Sequence, residues 1–318
     1  MKNIHGFALL VSIVCLLFPP HARAENPPKP FPYTFSAASA GGILYGAGEE
    51  IVYKTGNTYL SQLLWDMKPL FYLGTDIGFS RSNPLEGPGV MLGLSMKFGL
   101  PGETGVMEDR DWQSGADNRL TNFSSHENKT QGAFIFDVTA GATLPVASRL
   151  VLGFYLGFSY MRFSWAAENG YYQYESTQWA EIPLYGPAIS YSQTWFIFFP
   201  GVSLKAPFLK LFSCTLSFAA TPLLFGFAED DHFMRRLRFQ DRLEHLGLFL
   251  EPEISFAVSP RPRLDIALSV SYRYLGYARG ASRVQDTDPA GNGAYEDAGS
   301  AGAGFSALDA GLSVKIRF

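Results

Sequence analysis

The chain has 318 residues and a formal charge of −4, from 25 basic and 29 acidic side chains. So mildly acidic a balance gives no electrostatic case for nucleic acid as a partner. With 32 glycines, 15% aromatic and only 17% charged residues, the composition argues against a helical soluble domain and for many strands.

The first element is Met1 and Lys2, then an apolar run from Phe7 to Phe18, a Pro19-Pro20 break and the small-x-small triplet Ala22-Arg23-Ala24. This pattern predicts a signal peptide over residues 1–24 and a mature chain over 25–318. The run is too short for a membrane helix, which takes about 20 residues. Loss of Lys2 and Arg23 moves the formal charge from −4 to −6. Cys15 leaves with the signal, so Cys214 has no intrachain partner, and its apolar strand face suits it to inert packing rather than thiol chemistry. Glu25 to Lys29 reads as a short Pro-rich lead-in.

After the signal a period of two takes over. Val90, Leu92, Leu94, Met96 and Phe98 alternate with small or polar partners, as do Phe134, Phe136 and Val138, and then Leu152, Phe154, Leu156, Phe158 and Tyr160. The pattern is cleanest in Leu264, Ile266, Leu268, Val270 and Tyr272, and again from Leu308 to Phe318. Alternation gives a strand one apolar and one polar face. Ten candidate strands begin near Tyr33, Tyr59, Gly89, Gly132, Arg149, Ala188, Leu209, Glu244, Arg263 and Gly302. Several run about ten residues or more, the span of a tilted membrane strand. The final Phe318 resembles the terminal aromatic that marks outer-membrane barrels for assembly. Open edges in hydrocarbon leave backbone groups unpaired, so the sheet has to close. The predicted fold is therefore all-β, a ten-stranded antiparallel transmembrane β-barrel of the bacterial outer membrane. Short Pro-marked connections near Asn83–Gly87, Leu144–Ser148, Lys205–Phe208 and Ser259–Arg263 alternate with longer polar ones around Glu50, Asp109–Lys129, Glu168–Tyr185, Asp230–Arg242 and Ala278–Ser300. All the long ones fall on the extracellular side.

Two clusters at that mouth could do chemistry. Asp109 and Asp111 keep the inward parity of Lys97 if Pro101-Gly102 introduces no bulge. Asp230 and His232 also share a face, but strict alternation from Phe212, Cys214, Leu216 and Phe218 sends them outward; a bulge marked by Pro222 is needed to re-aim them. An Asp two residues before a His can fix the imidazole tautomer and leave its other nitrogen free to take a proton from water. A second carboxylate pair could position that water and share a proton. Either cluster alone reads more simply as solvated loop residues. One His with scattered carboxylates is a thin ligand set for zinc, and no cofactor is called for. Ser124 and His126 invite a serine-hydrolase reading but lack a G-x-S-x-G context.

Taken together, Glu50-Ile51-Val52-Tyr53, Ser61-Gln62-Leu63 with Trp65, Asp109-Arg110-Asp111-Trp112, Ser124-Ser125-His126, Arg162-Phe163-Ser164-Trp165 with Ala167 and Gly170, and Asp230-Asp231-His232 resemble the omptin family of ten-stranded outer-membrane aspartyl-type proteases, in the family's order and through most of the mature chain. The resemblance implies an endopeptidase acting on extracellular polypeptides, with Asp109 and Asp111 facing Asp230 and His232 across the mouth. On it, His232 is the general base, Asp230 its orienter, Glu50 a substrate-pocket acid, and Ser124 and His126 supporting residues. Two family acids of the substrate pockets fall on Ala228 and Asn122, which leaves the preference for basic residues open. Of the family's lipopolysaccharide site Arg162 is present, while neighbouring positions carry Phe158, Tyr160 and Thr194, so outer-membrane lipid is a partner but lipopolysaccharide dependence is not carried over. The competing reading is a non-enzymatic barrel, an adhesin or structural protein, motivated by the two missing pocket acids; a diffusion pore is discouraged because side chains largely fill a ten-stranded lumen. Mass spectrometry of the protein purified from outer membranes should find a mature chain beginning at Glu25, and a chain retaining residues 1–24 would overturn the signal-peptide reading.

Overall fold

The computed structural model describes residues 32–54, 58–114, 118–244, 246–288 and 294–318; the predicted signal peptide and the lead-in at Glu25–Lys29 lie outside them. The strands are β1 (Tyr33–Tyr53), β2 (Tyr59–Arg81), β3 (Gly89–Gly99), β4 (Gly102–Asp111), β5 (Asn122–Ala147), β6 (Leu150–Tyr174), β7 (Ile182–Pro183), β8 (Pro187–Pro207), β9 (Phe212–Thr221), β10 (Leu224–His232), β11 (Leu237–Leu243), β12 (Phe249–Arg261), β13 (Leu264–Asp286) and β14 (Ala294–Arg317). β3 and β4 both pair with β2 and β5, β9 and β10 both pair with β8, and β11 and β12 both pair with β13, so each of these couples forms one interrupted stave. β7 is a two-residue addition to β6. Ten antiparallel staves result among the described residues, in chain order, and β14 closes them onto β1 from Ser36↔Arg317 to Val52↔Ala301. The Phe318 amide donates to the Phe35 carbonyl at 2.9 Å, carrying the seam to the last residue.

Outward side chains form a broad apolar surface that includes Phe71, Leu73, Leu92, Phe98, Leu156, Phe198, Leu268 and Leu312. Such a surface faces lipid, whose core a tilted strand crosses in about 9–11 residues. β5 has 26 residues and β6 has 25, so the barrel continues well past the bilayer. The apolar band ends near Tyr45, Val106 and Phe227, and beyond it Glu108, Arg110, Glu229 and Gln240 point outward. Segments expected to be long loops are consequently strands: β4 reaches Asp111, β5 starts at Asn122 instead of near Gly132, β10 and β11 form a hairpin within Asp230–Arg242, and β13 and β14 extend to Asp286 and from Ala294. The physical reason is the solvent. Above the lipid neither face of the sheet must be apolar, so the alternation that marks a strand weakens.

Layers of packed side chains cross the lumen. At membrane level Arg273 donates to Glu251 Oε1 from Nε at 3.0 Å and from Nη2 at 2.7 Å, to Asp137 at 3.2 Å and to Ser159 Oγ at 3.3 Å. Beside it Asp309 accepts from Tyr72 Oη at 2.8 Å and pairs with Lys97. Higher up, Trp65, Trp165 and Tyr191 stack, with centroids 5.4–6.2 Å apart, and Phe163 and Phe305 extend the layer. Gln193 ties this layer to the wall, donating to the Glu49 carbonyl at 2.8 Å and accepting from Trp195 Nε1 at 3.1 Å. Together these layers divide the mouth from the rest of the lumen. Arg273→Ala should lower unfolding stability by about 3–5 kcal/mol, because it strands the Glu251 and Asp137 carboxylates in a buried site; denaturant titration of the barrel refolded in vesicles measures this.

Candidate active site

Two irregularities set the direction of Asp109 and Asp111. The stave breaks between Gly99 and Gly102, and Thr104 and Met107 are both buried although three residues apart. Between them Gly105 sits at φ +116, a conformation that favours glycine, where the register against β5 shifts. The smooth passage through Pro101-Gly102 on which the inward parity was conditioned is not what forms. Two parity changes cancel, and both carboxylates still end up inward and buried. The dyad needs one change and has one. Thr221 and Leu224 are both buried across the break at Pro222-Leu223, and β8 takes four steps, from Gly201 to Ile197, against five from Ala219 to Leu224. The extra residue turns Asp230 and His232 inward.

His232 Nε2 lies 2.6 Å from Asp230 Oδ2, and the Phe239 ring packs edge-on against the imidazole at 5.4 Å. On the facing wall Ser61 Oγ donates to Asp109 Oδ1 at 3.1 Å. Asp111 Oδ2 accepts from Gln113 Nε2 at 3.0 Å and from Asn122 Nδ2 at 3.2 Å, and Arg235 Nη2 stands 3.6 Å from it. A cavity of about 190 Å³ is lined by Asp109, Asp111, Ser124, His126, His232 and Arg235, so it touches both walls. A smaller one joins Glu50, Asp111, Asp230 and His232. Glu50 is buried at the base of the mouth, and Asn122 is a hydrogen-bond donor to Asp111 rather than a pocket acid.

Removal from water governs the charges here. Burial, with the nearby Asp111 carboxylate adding to it, pushes Asp109 up to about 7, against the pull of His232, Arg235 and Ser61. Burial disfavours the His232 imidazolium, but the charge and hydrogen bond of Asp230, helped by Asp109, outweigh it and raise the pKa above its ordinary value. Glu50 is raised well above the usual carboxylate range by burial and by repulsion from Asp230, Asp241 and Asp109.

Ser124 and His126 sit on the same wall as Asp109, which pairs with Ser124 in the ladder. His126 Nδ1 is 2.5 Å from the Asn169 carbonyl and therefore donates, so its Nε2 accepts from Ser124 Oγ at 2.9 Å. Burial lowers the His126 pKa, which keeps it neutral. Arg162 is brought to neither wall. It lies on the outer surface, across the ladder from Thr194, beside a groove that also takes in Arg242 and Arg283. Ser61, Gln113, Arg235 and Phe239 line the smaller cavity, and the sequence reading gave none of them a role. The alternation Leu237, Phe239, Asp241, Leu243 carried a usable signal for Phe239, hidden by reading Asp230–Arg242 as a loop.

The omptin family model matches residues 31–318. The chain belongs to the omptin family. This omptin is similar to the plasminogen activator of Yersinia pestis, at 26% identity over 228 residues covering 70% of each chain. Its fold is that of the outer membrane protease OmpT of Escherichia coli, with a TM-score of 0.81 at 18% identity over 90% of this chain and 97% of the other. As an omptin it is a protease of the outer membrane, with its active site on the extracellular side. Because Asp230 raises the His232 pKa, Asp230→Asn should move the acidic limb of the pH profile of kcat/KM for peptide hydrolysis to lower pH; an unmoved limb would mean that Asp230 does not set the charge of His232.

Proposed function

We propose that this omptin is an endopeptidase that hydrolyses extracellular polypeptides with a water molecule activated by the Asp230–His232 dyad and positioned by Asp109 and Asp111. The observation that carries this reading is that one cavity touches both walls, with the His232 imidazole held 2.6 Å from Asp230. Neutral His232 takes a proton from water as the oxygen attacks the peptide carbonyl, and Asp230 stabilises the imidazolium that forms. Asp109, with its proton affinity raised to near neutrality, can share a proton with the attacking water or with the oxygen of the tetrahedral intermediate. The imidazolium then gives its proton to the leaving amine, which balances the reaction. Removal of residues 1–24 by cleavage after Ala24 belongs to the same reading of the chain as a secreted precursor.

The contact between Ser124 and His126 favours a second reading, a serine nucleophile. Against it, the far nitrogen of His126 meets a backbone carbonyl, which orients the ring but does not stabilise an imidazolium as a carboxylate does. Digestion of a mixed peptide library separates the two. His232→Ala should cut kcat/KM by about 10²- to 10⁴-fold, while Ser124→Ala should retain activity within about tenfold, as fits loss of a neutral hydrogen bond. Loss of all activity in Ser124→Ala with full activity in His232→Ala would reverse the assignment.

A further inference from the structure

The end of the lumen away from the mouth takes no part in the proposed hydrolysis and is built from the opposite charge. Since the active site lies on the extracellular side, this end faces the periplasm. A cavity of about 430 Å³ reaches from the β2–β3 turn at Ser82 and Pro84 up to Asp137, and a second of about 150 Å³ lies against it; Lys205, Thr215, Asp265, Lys315 and Arg317 line both. The bases outnumber their partners. Arg317 Nη2 and Ser259 Oγ both donate to Asp265 Oδ1 at 2.6 Å, so that carboxylate is committed, although Lys315 stands directly across the β13–β14 ladder from it. Asp137 is held by Arg273, and Arg81 at the rim donates to the Pro88 carbonyl at 3.0 Å. Asp76 on β2 is the one further acid of the lining. Lys205 on β8 and Lys315 on β14 have no ion pair and no side-chain hydrogen bond among the described residues. They come from different parts of the wall, yet Lys205 is near enough to be repelled by both Lys315 and Arg317. Between them the wall offers hydroxyls, from Ser213, Thr215 and Ser255.

Like charges in a concave site with low-dielectric walls are poorly screened, and such a site concentrates counter-ions. An anion placed there relieves the repulsion and takes charge-assisted hydrogen bonds that the protein leaves unmade. The closed ladder keeps acyl chains out of the lumen, so the anion comes from solution, and two unpaired ammonium groups match a double negative charge. We propose that the periplasmic end of the lumen binds a small soluble dianion of the phosphate class, as the free ion or a small phosphate ester, with Lys205 and Lys315 supplying the charge and Thr215 a hydroxyl donor. This site is separated from the hydrolytic mouth by the aromatic layer and does not depend on what that mouth cleaves.

The test is calorimetric titration of the full barrel, refolded in zwitterionic detergent, with inorganic phosphate at constant ionic strength. Wild type should bind phosphate saturably, and an excess of chloride should not displace it. Lys205→Gln/Lys315→Gln should weaken binding by about 100-fold or more, the worth of two charged hydrogen bonds, whereas Lys205→Arg/Lys315→Arg should retain it. Thr215→Glu places a carboxylate beside the lysines without removing either, and should abolish binding; it decides the matter if the double glutamine variant does not fold. Heat-dependent mobility on gels reports a folded barrel for each variant. An absent signal in wild type, displacement by chloride, or wild-type affinity in Thr215→Glu or in a folded double glutamine variant overturns the site. Repeating the titration in phosphatidylcholine vesicles with and without phosphatidylglycerol tests the source of the anion: equal phosphate affinity supports a soluble ligand, and competition by the anionic lipid overturns it in favour of a headgroup.

Discussion

A peptide group without a hydrogen-bond partner costs several kcal/mol in hydrocarbon, and the seam between β14 and β1 is where this chain satisfies that demand. The ladder runs from Ser36↔Arg317 to Val52↔Ala301 and ends on the amide of Phe318. Closure fixes what lies inside, because each stave then has one face toward lipid and one toward a narrow lumen. It also carries the staves upward past the bilayer, since β1, β13 and β14 continue beyond the apolar band. The site is therefore built on paired strands, a stiffer platform than the loops expected at that height.

Alternation alone would not produce the site. Along β3/β4 two parity changes cancel, the second at Gly105, and along β9/β10 a single one at Pro222-Leu223 does not. The same device has opposite uses. In one stave it leaves Asp109 and Asp111 where a plain count puts them, and in the other it turns Asp230 and His232 from the lipid-side parity of Phe218 to the inward side. Bulges next to functional residues commonly re-aim side chains in this way.

Beneath these residues the layer of Trp65, Trp165 and Tyr191 seals the base of the mouth. Its consequence is electrostatic. Water is excluded from below, so the carboxylates above it repel one another with little screening, and Glu50, Asp109 and Asp241 hold protons more firmly than exposed acids do. Several of the buried groups have built partners. His232 has Asp230, Asp111 has Gln113, Asn122 and Arg235, and deeper in the lumen Arg273 has Glu251 and Asp137. The deeper pairing is a matter of holding the barrel together, whereas the mouth holds its carboxylates with fewer compensating partners.

At membrane level the amino-acid sequence by itself determined the architecture, because lipid on one face and a packed lumen on the other write an alternation into residues such as Leu264–Tyr272 and Leu308–Phe318. It also identified Asp109, Asp111, Asp230 and His232 and flagged Pro222 as the place where parity must change, since backbone rules attach to proline without any neighbour. Above the lipid that writing stops. The sequence therefore left the hairpin of β10 and β11 as a loop and passed over Asp241, which is placed across from Ala228 on the inward face only once β11 pairs with β10. Gly105 was illegible for a related reason, because a glycine marks a positive φ only once its partner strands are known. Distances between residues far apart in the chain, and the repulsion and shared protons that follow from them, were decided by closure of the barrel alone.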